Sequence, residues 1–185
     1  TGSTNNSDIL RGASSSEIFE TDGNGSGRVV DLTTFSIIDF TSIERLDGRG
    51  GDNSLEGLAG ANNWVINGAN SGLLNGNTFE NFSSITGSDG PDDFAFEGAG
   101  AIAGHLQGSN GIDELSYSNY NSPAIINLDS AETTGTGSFA TIEVITGSAY
   151  ADTLVGSAAD ETFRITGTQE GSVSGSSYGD ILFSA

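Results

Sequence analysis

The chain of 185 residues contains no Cys, and it sets 25 acidic residues against 5 basic ones for a formal charge of −20. That field excludes nucleic acid as a partner, disfavours an anionic membrane surface, and invites counter-ions, hard divalent cations above all. The lack of Cys excludes disulfides, zinc–thiolate sites and thiol nucleophiles, and no apolar run is long enough to suggest a transmembrane segment.

Gly is abundant at 28 residues and Pro rare at 2, so glycine reads as positional rather than as the mark of a coil. The absence of Met, even at position 1, and of a signal peptide reads as a piece of a longer or processed protein. Along the chain one octapeptide recurs: Gly, four variable residues, an acidic residue or Asn, any residue, then a large apolar one. Ser3 with Asp8 and Leu10 opens the series, Ser standing for Gly. Gly12 with Glu17 and Phe19 follows nine residues on. The loop Asp22-Gly-Asn24-Gly-Ser26-Gly27 places oxygen side chains at alternate positions, like the first half of an EF-hand-type calcium loop. Its twelfth position is Thr33 rather than Glu, and an ordinary Gly-rich turn is the competing reading.

Next comes a second element, Phe40-x-x-Ile43-x-x-Leu46-x-Gly48, whose three-residue spacing suits one helical turn or a strand with a bend. It leads into two octapeptides nine residues apart, Gly48 with Asn53 and Leu55, then Gly57 with Asn62 and Trp64. A third element, Ile66-x-Gly68 and Gly72-x-Leu74-x-Gly76, closes the set. Phe79-x-x-Phe82-x-x-Ile85-x-Gly87 then introduces Gly87 with Asp92 and Phe94, and Gly108 with Asp113 and Leu115 follows. Phe139-x-x-Ile142-x-x-Ile145-x-Gly147 restarts the sequence, with Gly147–Asp152–Leu154, Gly156–Glu161–Phe163, Ile165-x-Gly167, Gly171-x-Val173-x-Gly175 and Gly175–Asp180–Leu182. Phe40, Gly48, Trp64 and Gly76 thus map onto Phe139, Gly147, Phe163 and Gly175 at an offset of about 99 residues, 40–86 matching 139–185. Residues 1–185 are expected to form one fragment of a larger repeat protein.

Glycine every few residues disfavours helix by about 1 kcal/mol at each site, and short apolar alternations bounded by Gly, Ser and Asn read as strands and tight turns. A nine-residue period supplies one strand and one turn. Stacking such units points the apolar residue inward and leaves the acidic one at the turn. The expected fold is all-β with almost no helix: a parallel β-solenoid, a β-helix or β-roll, right-handed as parallel crossovers are. A string of β-sandwiches suits the long period but not the nine-residue pairs. Leu10, Phe19, Leu55, Trp64, Phe94, Leu115, Leu154, Phe163 and Leu182 are expected to face the core.

These residues resemble the calcium-binding nonapeptide repeat of RTX proteins, Gly-Gly-x-Gly-x-Asp-x-(apolar)-x. Gly87, Gly90, Asp92 and Phe94 fill four of its five fixed positions, as do Gly108, Gly111, Asp113 and Leu115, with Ser at the second Gly. At Gly147, Tyr150 replaces the third Gly, and Asn53 and Asn62 stand where Asp is expected. The longer pattern over about residues 28–185, including Leu115-Ser-Tyr117-Ser-x-Tyr120, is similar to giant bacterial haemagglutinin-like and RTX adhesins. The resemblance implies a solenoid, bound calcium (Ca2+), and a secreted or cell-surface location in proteins that mediate attachment or symbiosis. Its implied partners are a cell-surface glycan or another cell-surface protein.

The chemistry expected from the residues is therefore cation binding. Asp92 and Asp113, 21 residues apart, would stack on one edge of the solenoid with turn carbonyls near Gly90 and Gly111 as further ligands. Asp8, Asp152 and Asp180 are second-rank ligands. The competing reading makes these carboxylates turn caps on nearby backbone N–H groups. No enzyme is expected. His105, the only His, lies in an alternating strand, and Gly98-x-Gly100-x-x-Ala103 has no following helix to make a dinucleotide loop. Arg11, Arg28, Arg45, Arg49 and Arg164 are too scattered to clamp an anionic polymer as a polysaccharide lyase would. Paired neighbours such as Asp92–Asp93 and Asp113–Glu114 point to opposite faces of a strand. Tyr117 and Tyr120 have no repeat mates and are the candidate sugar or ligand contacts. The functional expectation is a structural or adhesive repeat segment of a large secreted or cell-surface bacterial protein. The alternative is a carbohydrate- or partner-binding module, or an accessory module of a secreted polysaccharide-modifying enzyme.

Overall fold

Apolar and polar residues alternate in runs of three to nine, and the chain folds as that alternation directs. The computed structural model describes residues 8–184 except positions 14, 23, 24, 51, 159, 161, 168, 169, 177 and 178. Of 164–167, 170, 173–176 and 179–182 it describes the backbone alone. The described residues contain only strands and turns, with no helix, and hence none long and apolar enough to cross a membrane. The strands are β1 (Ile9–Arg11), β2 (Glu17–Thr21), β3 (Gly27–Asp31), β4 (Ile37–Phe40), β5 (Arg45–Asp47), β6 (Ser54–Gly57) and β7 (Asn62–Gly68). They continue with β8 (Ser71–Leu74), β9 (Asn77–Glu80), β10 (Ser84–Asp89), β11 (Asp92–Gly98), β12 (Ile102–Asn110), β13 (Glu114–Tyr120) and β14 (Ile125–Asn127). The last are β15 (Glu132–Thr133), β16 (Thr136–Ala140), β17 (Val144–Thr146), β18 (Thr153–Val155), β19 (Thr162–Gly167), β20 (Glu170–Ser176) and β21 (Gly179–Ser184).

Three sheets result. The first runs β1-β5-β9-β8-β7-β11-β13-β17-β21-β20-β19, the second β16-β12-β10-β6-β2-β3-β4, and the third β15-β14-β18. From β9 to β13 the chain alternates between the first two sheets, and strands pair parallel with non-consecutive ones: β10 with β6 and β12, β11 with β7 and β13. The sheets are mixed, because antiparallel meanders interrupt the parallel pairings at β2–β3–β4, β7–β8–β9 and β19–β20–β21. These excursions lengthen the stretch of chain between neighbouring parallel strands. Asp92 and Asp113 are in contact at a separation of 21 residues, while Asn62 and Asp92, spanning one meander, are in contact at 30.

The core lies between the first and second sheets. Phe19, Leu55, Trp64, Phe94 and Leu115 are fully buried, as expected. Trp64 stacks on Phe94 at 5.8 Å and meets Phe79 edge-on at 5.9 Å. Leu10 and Leu154 are only partly buried but pack against this core. Phe163 is a correction: it is 46% exposed although its repeat mate Trp64 is enclosed. Trp64 has β8 on one side and β11 on the other, whereas β19 is the terminal strand of its sheet and Phe163 pairs only with Val173 of β20. The Leu182 side chain falls outside the described residues. Its neighbour Phe183 packs against the core, in register with Ile145.

The Phe-x-x-Ile-x-x-Leu element is a bend, not a helical turn. Ser42, Asn81 and Thr141, each in the same place two residues after Phe, have φ of 58°, 62° and 50°. One left-handed residue turns the chain from one strand to the next, so that Phe, its successor at three and its successor at six all face inward. Phe79, Phe82 and Ile85 are fully enclosed by this means, and Phe139, Ile142 and Ile145 nearly so.

Candidate functional site

Asp92 opens β11 and Asp113 stands just before β13, and the register Asp93 beside Glu114 stacks the two, as the sequence led us to expect. Both are buried, Asp113 completely. The Asp92 N–H donates to Asp113 Oδ1 at 2.8 Å, and the Asn62 N–H and Nδ2 both donate to Asp92 Oδ1 at 2.8 Å. The Asp113 N–H in turn donates to Glu143 Oε2 at 2.9 Å. A continuous column, Glu143–Asp113–Asp92–Asn62, thus satisfies the first N–H of each strand with the side chain of the next coil. The rule extends elsewhere: Glu17 N–H donates to Asn53 Oδ1, Asp8 N–H to Glu44 Oε2, and Ala124 N–H to Asp152 Oδ1. The turn-cap reading is therefore half right. These oxygens accept from backbone N–H groups, but mostly across coils rather than within their own turn.

The column explains the octapeptide. In five of the octapeptides the side chain five residues after the Gly folds back over that glycine's Cα. A Cβ at Gly12, Gly87, Gly108 or Gly147 would collide with the carboxylate of Glu17, Asp92, Asp113 or Asp152 respectively. At Gly57 it would lie 2.6 Å from Asn62 Nδ2. The third Gly of the nonapeptide has its own cause. Gly90 and Gly111 have φ of 125° and 151°, and each sits directly on the turn of the preceding coil, Gly90 over Gly60 and Gly111 over Gly90.

The second carboxylate oxygens set Asp92 and Asp113 apart. Asp92 Oδ2 and Asp113 Oδ2 are buried without a hydrogen-bond partner. Gly108 O and Asp92 Oδ2 converge over the Cα of Gly87, and Thr141 O and Asp113 Oδ2 converge over that of Gly108. Acceptors thus meet acceptors at both places. Desolvation pushes the Asp113 carboxyl up to about 6, with the charges of Asp92 and Glu143 adding to it against the Asp92 N–H. Desolvation also raises Asp92, against its bonds from Asn62. Among the described residues no group of three His, Cys, Asp or Glu is gathered closely enough to hold a metal ion. A cation here would draw on main-chain oxygens.

The other candidates are dispersed. Asp152 is fully engaged, accepting from the Ser148 N–H at Oδ2 and from Ser148 Oγ at Oδ1. Asp8 lies ahead of β1, partly buried. Asp22 Oδ1 accepts from the Ser26 N–H at 3.1 Å inside the β2–β3 hairpin turn, while Asn24 lies outside the described residues. The Asp180 side chain is likewise outside them. Tyr117 is a correction: it is a core residue, stacked on Phe96 at 5.2 Å, with its hydroxyl donating to Thr134 O at 2.6 Å. Tyr120 packs edge-on against it and is partly buried. Neither forms an exposed platform for a sugar. His105 in β12 is hydrogen-bonded through Nδ1 to Ser138 Oγ at 2.9 Å.

One acidic pair was missed. Asp93 and Glu114, on the outward face, lie side by side on β11 and β13. Burial raises the Asp93 carboxyl and Glu114 adds to the effect; its Oδ1 has no partner. Each was read against its chain neighbour, and only the coil period of 21 would have brought the two together. No protein-family model, curated protein or solved structure matches the chain.

Proposed function

We propose that the chain is a parallel β-solenoid segment with a structural or adhesive role in a large secreted or cell-surface bacterial protein, and that calcium binds along its inner carboxylate column. Parallel pairing of non-consecutive strands, alternation between two facing sheets and a continuous apolar core support the solenoid. Such a stack is rigid along its axis, because each coil is hydrogen-bonded to the next through both backbone and side chains. The meanders are then local outgrowths on a regular path. The adhesive role and the location rest on the resemblance of the repeats.

The observation that carries the calcium assignment is the pair of buried, unpartnered oxygens, Asp92 Oδ2 and Asp113 Oδ2, each set against a main-chain carbonyl. Oxygen gathered without a donor is the environment that a hard six- to eight-coordinate cation fills. Each carboxylate keeps Oδ1 on a backbone N–H and offers Oδ2 to the ion. Binding to the folded state alone raises the melting temperature with calcium concentration. The test is thermal melting in calcium and in chelator at moderate ionic strength. Chelator is expected to lower the melting temperature, and Asp113→Ala to remove most of that response. A wild-type melt indifferent to both calcium and chelator overturns the assignment and leaves the carboxylates as a hydrogen-bonded ladder.

A further inference from the structure

The β2–β3–β4 meander repeats a pattern that the chain uses twice more. In each, a Gly of the middle strand faces a Phe of the third: Gly27 opposite Phe40, Gly72 opposite Phe79, Gly171 opposite Phe183. In two of the three, the third strand then pairs parallel with an earlier one. β9 lies on β5 with Phe79 beside Leu46, and β21 lies on β17 with Phe183 beside Ile145. β4 is the last strand of the second sheet, and among the described residues nothing pairs along its outer edge.

That edge is mostly apolar, its one charge, Asp39, standing opposite Arg28 of β3. Ile37 and Ile38 are 60% and 61% exposed, and Phe35, at the turn before them, is 80% exposed. Phe35 has a φ of 56°, a left-handed conformation that a bulky side chain adopts only at a cost. The turn does not need it. Ala131, also at φ 56°, fills the same place in the turn after β14, where Asn127 Oδ1 accepts from the N–H groups of Asp129 and Ser130 as Asp31 Oδ1 does from Thr33 and Thr34. Strand edges are ordinarily guarded by charged side chains, Pro or a bulge; residues 35–40 contain neither Lys nor Pro, and Asp39 is their single charge.

We propose that β4 is a docking edge for an extended, parallel strand of the Phe-x-x-Ile-x-x-(Leu or Ile)-x-Gly type, the type that β5 and β17 already supply to β9 and β21. The guest places its aliphatic residue beside Phe40, where Leu46 and Ile145 stand in the two filled meanders, and covers Ile37, Ile38 and Phe35. The guest is an unpaired strand. A folded second copy cannot offer β5 or β17, since β5 is held between β1 and β9 and β17 between β13 and β21. The recognition is strand addition, with main-chain bonds for affinity and side-chain pairing for register.

The test uses the whole chain and a labelled peptide with the sequence of residues 139–147. Saturable binding above that of the reversed-sequence peptide is expected, with amide exchange slowed at residues 37–40. Ile37→Lys with Ile38→Lys is expected to weaken binding at least about tenfold, since it charges the edge that the strand must cover. Phe35→Gly keeps the fold measurable if the double variant does not. It relieves the left-handed strain, so it should melt no lower than the parent yet bind more weakly. Binding no better than the reversed peptide, protection at β1 or β19 instead of β4, or unchanged affinity in these variants would each overturn the proposal. None of these outcomes depends on calcium, so the cation assignment stands or falls separately.

Discussion

The sharpest consequence of the carboxylate column is that Asp113→Asn should stabilise the calcium-free protein at neutral pH. Asp113 is fully enclosed and its carboxyl is pushed up to about 6, against about 3.9 for an exposed Asp. The folded state therefore holds the Asp113 proton more tightly than the unfolded chain does. The stabilisation from that proton is complete below about pH 4 and is lost as pH rises through about 6. At pH 7 and above the folded state carries an unneutralised charge at a cost of at most about 3 kcal/mol. An amide at 113 keeps the Oδ1 acceptor for the Asp92 N–H and sets a donor toward Thr141 O. Asn62, two column positions away, already demonstrates the arrangement, its Nδ2 donating to Gly60 O at 3.1 Å and to Leu58 O and Gly87 O at 3.3 Å. For a chain of this size about 1 kcal/mol moves the melting temperature by about 2–4 °C. Melts in chelator should thus place Asp113→Asn several degrees above the parent at pH 7.5, with the gap closing toward pH 4.5. A variant that melts with or below the parent at pH 7.5, or a gap that does not narrow on acidification, would refute the argument.

Two further substitutions test the packing. Gly108→Ala drives a Cβ into Thr141 O and Asp113 Oδ2 and should cost about 1–3 kcal/mol; Gly50→Ala, with nothing within 4 Å, should be near neutral in the same denaturant titration. Trp64→Ala empties the centre of the aromatic stack and should cost about 3–5 kcal/mol, whereas Phe163→Ala, at its repeat-mate position but half exposed, should cost under about 1 kcal/mol. Equal losses at the two positions would mean that they share an environment after all.

Much of this was legible in the chain because the octapeptide repeats a few hard constraints. The octapeptide places Gly where a side chain folds back, the acid or Asn where an N–H needs an acceptor, and the apolar residue on the inward face. All three are local, so spacing alone reveals them. The Asp92–Asp113 stack followed from the same arithmetic. What the spacing could not convey was environment. Tyr117 looked like a ligand contact because it had no repeat mate, yet Phe96 and Thr134 enclose it. Phe163 matched Trp64 residue for residue, but burial depends on what lies over the strand, and β19 is an outermost strand. The Phe-x-x-Ile-x-x-Leu bend was undecided between helix and strand because a single left-handed Ser, Asn or Thr leaves no glycine as a marker.

The Asn-bearing repeats also take on a different meaning. Asn53 and Asn62 stand where the calcium-binding pattern has Asp, which at first suggests decay of a cation site. In the fold, each Asn amide donates into a cluster of turn carbonyls: Asn53 Nδ2 to Gly48 O and Gly50 O, Asn62 Nδ2 to Leu58 O, Gly60 O and Gly87 O. Asp152 meets its turn differently, with the backbone N–H and hydroxyl of Ser148 covering both of its oxygens. Asp92 and Asp113 have neither device, and each presents a bare oxygen beside carbonyls. The column poses one electrostatic problem at every coil, which is to supply positive charge density among inward-facing oxygens. Asn solves it with an amide and Asp152 with a serine, while Asp92 and Asp113 have no donor at Oδ2. These two acids follow each other after 21 residues with no meander between them, and the calcium proposed above would sit there rather than at the Asn-bearing positions.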